Sequence, residues 1–408
     1  MDSEYWNTEN TFSMSTPSHV LYGWGSSSGF VEKFVSLLEA RESSSPRVLL
    51  LTDEILHSAG ITNSSIEALD AQAVTVEVFT RSPGEPTATE INELGKFVNS
   101  LDPDGIVAVG GGATMDSAKL ARVLHQFGNK AEDYTGVGKI PERATVPLAA
   151  VTTTSGTGSE TGPTAIFTDD VSHTKEFVSS SYMMPDLAVV DPQLTMSVPA
   201  ATTAFTGLDA LGQAMGPFMS PLKHPLTDVF SFEAVNLISH NIEKAYSDGS
   251  DREARVGMAY GSLMMGLAMN NSECIGEHFF AEIVGPRYDL AHGHSVAIFL
   301  PYILQYNRDF VPDRTAQIAK AVLDDIPSDT QEVIDALILA VDGLLSSLNV
   351  PRLAEVGVVR SDLEELADQV SGHIGIELEL NPRPMTRDDC LRVLESVFDG
   401  VPALEMKV

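Results

Sequence analysis

Short apolar runs recur through the first half of the chain, at residues 47–52, 74–79, 105–109, 148–152 and 187–190, with helical patterns between them. Several of these runs are apolar without alternation, as strands of a parallel sheet covered on both faces must be. Strand and helix in regular succession predict an α/β domain. Thr87 followed by Glu90 predicts a capping box that opens a helix bearing Ile91, Leu94 and Phe97.

After Asp191 and Pro192 the pattern changes, and from about residue 199 onward nearly every segment reads as helix. Helices are expected over 229–246, 254–269, 313–323 and 331–348, the last with Ile334, Leu337, Leu344 and Leu348 on an apolar side. Asn381, Pro382, Arg383 and Pro384 form a stiff entry to a final helix capped by Thr386, with Asp389 at its third position. The expected organisation is an α/β domain over 1–196 and an all-α domain over 197–408.

A length of 408 residues suits two such domains, and 43% apolar with 20% charged residues suits a folded chain. Charge changes the picture more, because 57 acids against 25 bases leave a formal net charge of −32. Nucleic acid and anionic membranes both reward positive charge, so neither is an expected partner. Two origins of the acidity stay open: adaptation to a salty cytoplasm, where screening tolerates self-repulsion, or a merely acidic enzyme. No run approaches the roughly eighteen apolar residues of a membrane span. The first fourteen residues carry Asp2, Glu4 and Glu9 and lack a basic region before an apolar stretch, so no secretory signal and a cytoplasmic location are expected. Cys274 and Cys390 are the two cysteines, too few for a disulfide framework or a cysteine zinc cluster.

Candidate chemistry concentrates in three places. Residues 105–119 read GIVAVGGGATMDSAK, an apolar strand running through Gly110, Gly111 and Gly112 into a helix near Thr114. Glycines let backbone amides approach a phosphate, and the helix start adds its positive dipole end; a tight turn would also favour glycine, though three exceed its need. Residues 152–160, TTTSGTGSE, follow another apolar strand and offer Thr153, Thr154, Thr157 and Ser159 to ribose and phosphate oxygens, or else form a solvated turn. Asp53 ends a strand where an acid can hold an adenosine ribose and repel an extra phosphate, favouring NAD(H) over NADP(H); its alternative is capping the next helix. In the helical half, Asp209 and Gln213 share a helix face, as do His278 and Glu282, and His292 follows in AHGHS. Carboxylate and imidazole from separate helices can hold Fe²⁺ or Zn²⁺, or can be structural.

Taken together, VLYGWG at 20–25, GGGATMDSAK, TTTSGTGSE, the stretch from Val189 to Leu211, AHGHSVAIFLPYILQYN and NPRP resemble the iron-containing alcohol dehydrogenase family. The resemblance implies an N-terminal Rossmann-like dinucleotide-binding domain and a helical domain, as in dehydroquinate synthase-like folds. It implies hydride exchange between NAD(P) and a small alcohol or its aldehyde or ketone, with a divalent metal polarising the substrate oxygen. The family's metal ligands map onto Asp209, Gln213, His278 and His292, and Gln213 stands where the family has histidine. Glu282 likewise replaces a family histidine near the nicotinamide, and Glu282 or His278 is the expected proton relay. Asp116, Lys119 and Lys175 fall on motif positions expected to line the cofactor. The two departures leave open an altered metal site with Glu282 as substitute ligand, a metal-free enzyme similar to maleylacetate reductases, or a nucleotide-binding paralogue without catalysis. Arg287 is a candidate contact for an anionic substrate, or a surface residue; a homodimer is the base expectation.

Overall fold

The structure is a computed structural model and describes residues 11–39, 45–171, 174–373 and 380–408. The expectation about a leader rests largely on residues 1–10, which lie outside the described residues. The chain forms two compact units, Ser15–Ser197 and Val198–Val408, and residues 11–14 group with the second. Phe12 accounts for that grouping, its ring lying 5.6 Å from the ring of His224.

The first unit runs β1 (His19–Tyr22), α1 (Ser26–Leu38), β2 (Arg47–Asp53), α2 (Glu54–Ser58), α3 (Asn63–Asp70), β3 (Thr75–Arg81), α4 (Ala88–Leu101), β4 (Gly105–Gly110), α5 (Gly112–Phe127), β5 (Gly136–Val137), β6 (Leu148–Thr152), β7 (Thr164–Thr168), β8 (Lys175–Ser179) and β9 (Leu187–Val190). Six strands pair in parallel in the order β1-β9-β6-β4-β2-β3. The unbroken apolar runs have the expected cause. Val48, Leu50, Val107 and Val109 pack against Phe30 and Phe34 of α1 and Leu69 of α3, whereas Leu49, Leu51, Ile106 and Ala108 pack against Leu94 of α4 and Met115 of α5. Both faces are therefore dry, and each buried Leu or Val contributes roughly 1.5–3 kcal/mol.

This winding fixes where a ligand can approach. The helices after β2 lie on one face and α5, after β4, lies on the other. From β2 the chain steps outward to β3, and from β4 it steps the opposite way to β6. The carboxyl ends of β2 and β4 thus flank the reversal point, where open α/β sheets leave a crevice.

A second sheet, β5-β8-β7, contains an antiparallel hairpin that leaves no apolar pattern in the sequence. Its strands are short and partly exposed, and Lys175 and Glu176 interrupt any apolar run. Edge strand β1 was missed for the same reason, since none of its four residues is fully buried.

The second unit contains α6 (Ala200–Met219), α7 (Pro225–Ser247), α8 (Arg252–Met269), α9 (Gly276–Arg287), α10 (His292–Asn307), α11 (Pro312–Ala319), α12 (Thr330–Ser347), α13 (Leu363–His373) and α14 (Arg387–Phe398). Thr386 and Asp389 make the expected capping box, as Thr87 and Glu90 do at α4. Helix α6 is apolar nearly all round, which places it in the interior of the bundle. Its neighbours come close because glycine permits it: a Cβ at Gly207 would lie 2.7 Å from Ile242 of α7 and from Met258 of α8.

Candidate metal centre and cofactor loops

Helix α6 brings Asp209 and Gln213 one turn apart, α9 brings His278, and α10 begins at His292. Asp209 Oδ1 lies 3.5 Å from His278 Nε2 and 3.8 Å from His292 Nε2, and the two imidazole rings are 5.5 Å apart. One ligand atom from each of these three residues falls within 4.8 Å of the others. A glycine makes the meeting possible, because a Cβ at position 293 would sit 2.1 Å from the Phe205 carbonyl and 2.8 Å from Asp209 Cβ. The start of α10 can therefore rest directly on α6.

The donor chemistry fits a cation. Asp209 Oδ1, Gln213 Oε1 and His278 Nε2 are all buried without a hydrogen-bond partner. An unsatisfied buried polar atom costs about 1–3 kcal/mol, and Asp209 Oδ1 and His278 Nε2, 3.5 Å apart, lie where a single cation would compensate both. Each offers a lone pair, in the oxygen and nitrogen set that divalent transition metals accept.

Other residues hold this arrangement. The Asn381 side chain accepts from the Gly276 amide at 3.2 Å, and Asn381 and Asn307 exchange amide hydrogen bonds of 2.8 and 2.9 Å. That is the structural task of the NPRP segment: it pins the first turn of the helix carrying His278. Glu277, fully buried, places Oε1 3.2 Å from His278 Nδ1. Sequence spacing gave no sign of Glu277, because adjacent helix positions do not face one another. Glu282 lies one turn beyond His278, half-buried and outside the converging set of three. Burial pushes the Cys274 thiol up to about 11. Arg287 is engaged at 2.9 Å by Glu365 and at 3.4 Å by Gln369, which is the surface alternative and leaves little for an anionic substrate.

In the α/β unit, Asp53, Gly110–Gly112 and residues 152–154 all follow carboxyl ends of neighbouring parallel strands. Thr153 donates its amide to the Gly110 carbonyl at 3.0 Å, lacing the hydroxyl-rich loop to the glycine turn. The loop is no solvated turn, since Thr152, Thr153, Ser155 and Glu160 are all buried. Gly110 and Gly112 are required by packing: a Cβ would lie 2.6 Å from Thr114 Oγ1 at the first and 2.9 Å from Thr157 at the second. Asp53 Oδ1 accepts from the Leu56 amide at 2.8 Å, so it does cap α2.

The enclosed Lys119 and the half-buried Asp116 and Ser159 form a connected network. Lys119 Nζ donates to Ser159 Oγ and the Thr164 carbonyl, both at 2.7 Å, and Ser159 Oγ donates to Asp116 Oδ1 at 2.6 Å. The Ile166 amide takes up Asp116 Oδ2 at 3.1 Å. Lys119 is fully enclosed, and burial pulls its ammonium below the usual lysine range while pushing Asp116 up. These groups tie α5 to β7. Burial also raises Glu160, beside them, to about 7. Lys175, half-buried on β8, pairs with Glu85 at 3.5 Å.

Residues 17–192 match the iron-containing alcohol dehydrogenase family, and residues 203–398 match the Fe-containing alcohol dehydrogenase family, C-terminal. Long-chain-alcohol dehydrogenase 1 of Geobacillus thermodenitrificans is 33% identical over 94% of this chain and 95% of its own. NAD-dependent methanol dehydrogenase of Bacillus methanolicus is 31% identical over 86% of this chain and 92% of its own. The crystal structure of a 1,3-propanediol oxidoreductase superposes with a TM-score of 0.90 at 28% identity, covering 95% of this chain and 100% of that one. With both halves matched, the chain belongs to the iron-containing alcohol dehydrogenase family and is an NAD(P)-dependent oxidoreductase that interconverts alcohols and aldehydes.

Proposed function

We propose that the enzyme acts on small neutral alcohols and aldehydes with NAD(H), using a divalent ion, Fe²⁺ or Zn²⁺, held by Asp209, His278 and His292 with Gln213 as a neutral fourth ligand. The observation that carries this reading is the convergence of three ligand atoms within 4.8 Å, where Asp209 Oδ1 and His278 Nε2 are buried without a hydrogen-bond partner. When bound, the ion supplies Lewis acidity toward a substrate oxygen, and the nicotinamide supplies or accepts hydride. His278 lies between Asp209 and Glu277, which suits a ligand rather than a proton relay. Glu282, half-buried one turn away, is the group that accepts the hydroxyl proton or returns it.

Amides at the start of α5, with Gly111 and Thr154 beside them, take the pyrophosphate. Thr153, Thr114 and Thr157 support that turn from behind, and Asp116, Lys119 and Ser159 brace it. Asp53 keeps one oxygen for a ribose hydroxyl while the other caps α2, and its charge repels the extra phosphate of NADP(H). Neutral substrates suit the site because Glu365 occupies Arg287. Two buried free thiols fit a reducing cytoplasm, and a homodimer is the assembly expected of such an enzyme.

Elemental analysis of freshly purified protein, combined with NADH oxidation across a panel of aldehydes, tests the reading. One divalent ion per chain and activity lost on chelation and regained with Fe²⁺ or Zn²⁺ are expected. Full turnover by ion-free protein would instead place it with enzymes like maleylacetate reductase.

A further inference from the structure

Beside the converging ligands lies a buried carboxyl group that is not one of them. Glu277 is fully enclosed in the first turn of α9, and its Oε2 has no hydrogen-bond partner. A carboxyl group taken wholly out of water costs several kcal/mol unless something nearby repays it. The amino end of α9 repays a part, since a helix N-terminus favours negative charge by about 0.3–1 kcal/mol. The remaining partner is His278, whose Nδ1 lies 3.2 Å from Glu277 Oε1 while its Nε2 faces Asp209. Opposite lies Gly212 of α6, where a Cβ would meet Glu277 Oε1 at 3.5 Å and His278 Cε1 at 3.7 Å, both ordinary contacts, and Val296 Cγ1 more tightly at 3.1 Å. Carboxyl and imidazole thus both rest against α6 between Asp209 and Gln213, the helix that carries two of the other proposed ligands.

We propose that Glu277 is a positioning residue for the metal site: it accepts the Nδ1 hydrogen of His278, fixing the tautomer that leaves the Nε2 lone pair toward Asp209, and it supplies the second negative charge. The inference rests on the metal reading. A ligating histidine with its second nitrogen held by a carboxylate is oriented and made more basic, and loss of such a partner typically costs ten- to hundredfold in metal affinity. The charge has a particular use here. Asp209 contributes one negative charge and Gln213 none, so Glu277 brings the total to that of a divalent cation. The weaker donor at position 213 is offset from behind its neighbour.

The test measures Co²⁺ and Zn²⁺ affinity by competition with a chromophoric chelator for the wild type and for Glu277→Gln, Glu277→Leu and Asp209→Ala, with the Co²⁺ visible spectrum recorded for each. Glu277→Gln keeps shape and an acceptor oxygen but removes charge. It is expected to lose about tenfold in affinity, and Glu277→Leu about a hundredfold, with a shifted Co²⁺ band, while NADH binding stays unchanged as a folding control. If wild type and Asp209→Ala are equally indifferent to metal, the metal reading itself fails. If the wild type binds tightly and Glu277→Leu matches it in affinity and spectrum, the metal reading stands and the role of Glu277 is overturned. Should Glu277→Leu fail to fold, Glu277→Gln decides alone by the same comparison.

Discussion

Each unit buries a cluster of polar side chains, and the two clusters are finished in opposite ways. In the α/β unit, Lys119 is surrounded by Asp116, Ser159 and the Thr164 carbonyl, with an amide closing the far oxygen of the aspartate. In the helical unit, Asp209 Oδ1, Gln213 Oε1 and His278 Nε2 remain unpaired at comparable depth. A cluster whose donors and acceptors are joined by hydrogen bonds is cement; one whose oxygens and ring nitrogens converge without them is a socket. Both contain motif residues, so motif membership does not separate them, whereas the count of satisfied atoms does.

Emptying the socket should give the largest effect. Asp209→Ala removes the residue that both imidazoles approach, and loss of Lewis acid assistance worth several kcal/mol predicts a fall in kcat of about a thousandfold or more. Metal analysis of the same sample should show the ion gone, with little loss of thermal stability because an orphaned acid has also been removed. Retained turnover in Asp209→Ala would make the cluster structural and erase the contrast.

Breaking the cement should do the reverse. Lys119→Met strands the half-buried Asp116, a change that costs at most the roughly 3–5 kcal/mol of a fully buried pair losing one partner. Chemical denaturation should register that loss while metal content stays intact. Adding Asp116→Asn should recover much of the stability, since the stranded charge is then gone. A Lys119→Met protein of normal stability would show that the network is not what holds α5 to β7.

Glu160 sharpens the comparison through pH. Burial raises it from the ordinary 4.5 to about 7. Below 4.5 folded and unfolded chains both hold the proton, and the contribution is complete; as pH climbs through about 7 it is lost, because the unfolded carboxyl ionises first. A shift of this size is worth on the order of 3 kcal/mol. Stability measured between pH 4.5 and 7 should therefore fall in the wild type relative to Glu160→Gln. Parallel curves for the two proteins would remove Glu160 from the account.

The sequence announced the sheet through runs such as 48–51 and 106–109, because burial on both faces leaves no alternation to misread. It announced α4 and α14 through capping boxes, which are local chemistry. The hairpin of β7 and β8 and the edge strand β1 were silent, since half-exposed short strands carry no pattern. In the site, Asp209, His278 and His292 could be nominated by type and resemblance, but Glu277 could not. Its contact depends on how a side chain bends back toward its immediate neighbour. Pairings that need three dimensions to exist leave no periodicity behind.

Gly111 offers the smallest and cleanest test. Its outer neighbours are glycine for the fold's sake, since Thr114 and Thr157 fill the space where a side chain would go. Gly111 is different: its φ of −82° suits any L residue, and a Cβ would meet Thr154 only at 3.6 Å, an ordinary contact. Nothing inside the protein demands glycine there, and as the N-cap of α5 it would lose only part of a kcal/mol on becoming alanine. A ligand phosphate pressed against the turn would demand it. Gly111→Ala should thus keep its melting temperature within a degree or two and bind NADH about tenfold more weakly, close to 1.4 kcal/mol. Unchanged NADH affinity in that variant would mean that the pyrophosphate does not lie against this glycine, and that the turn is tight only to let α5 meet its own loop.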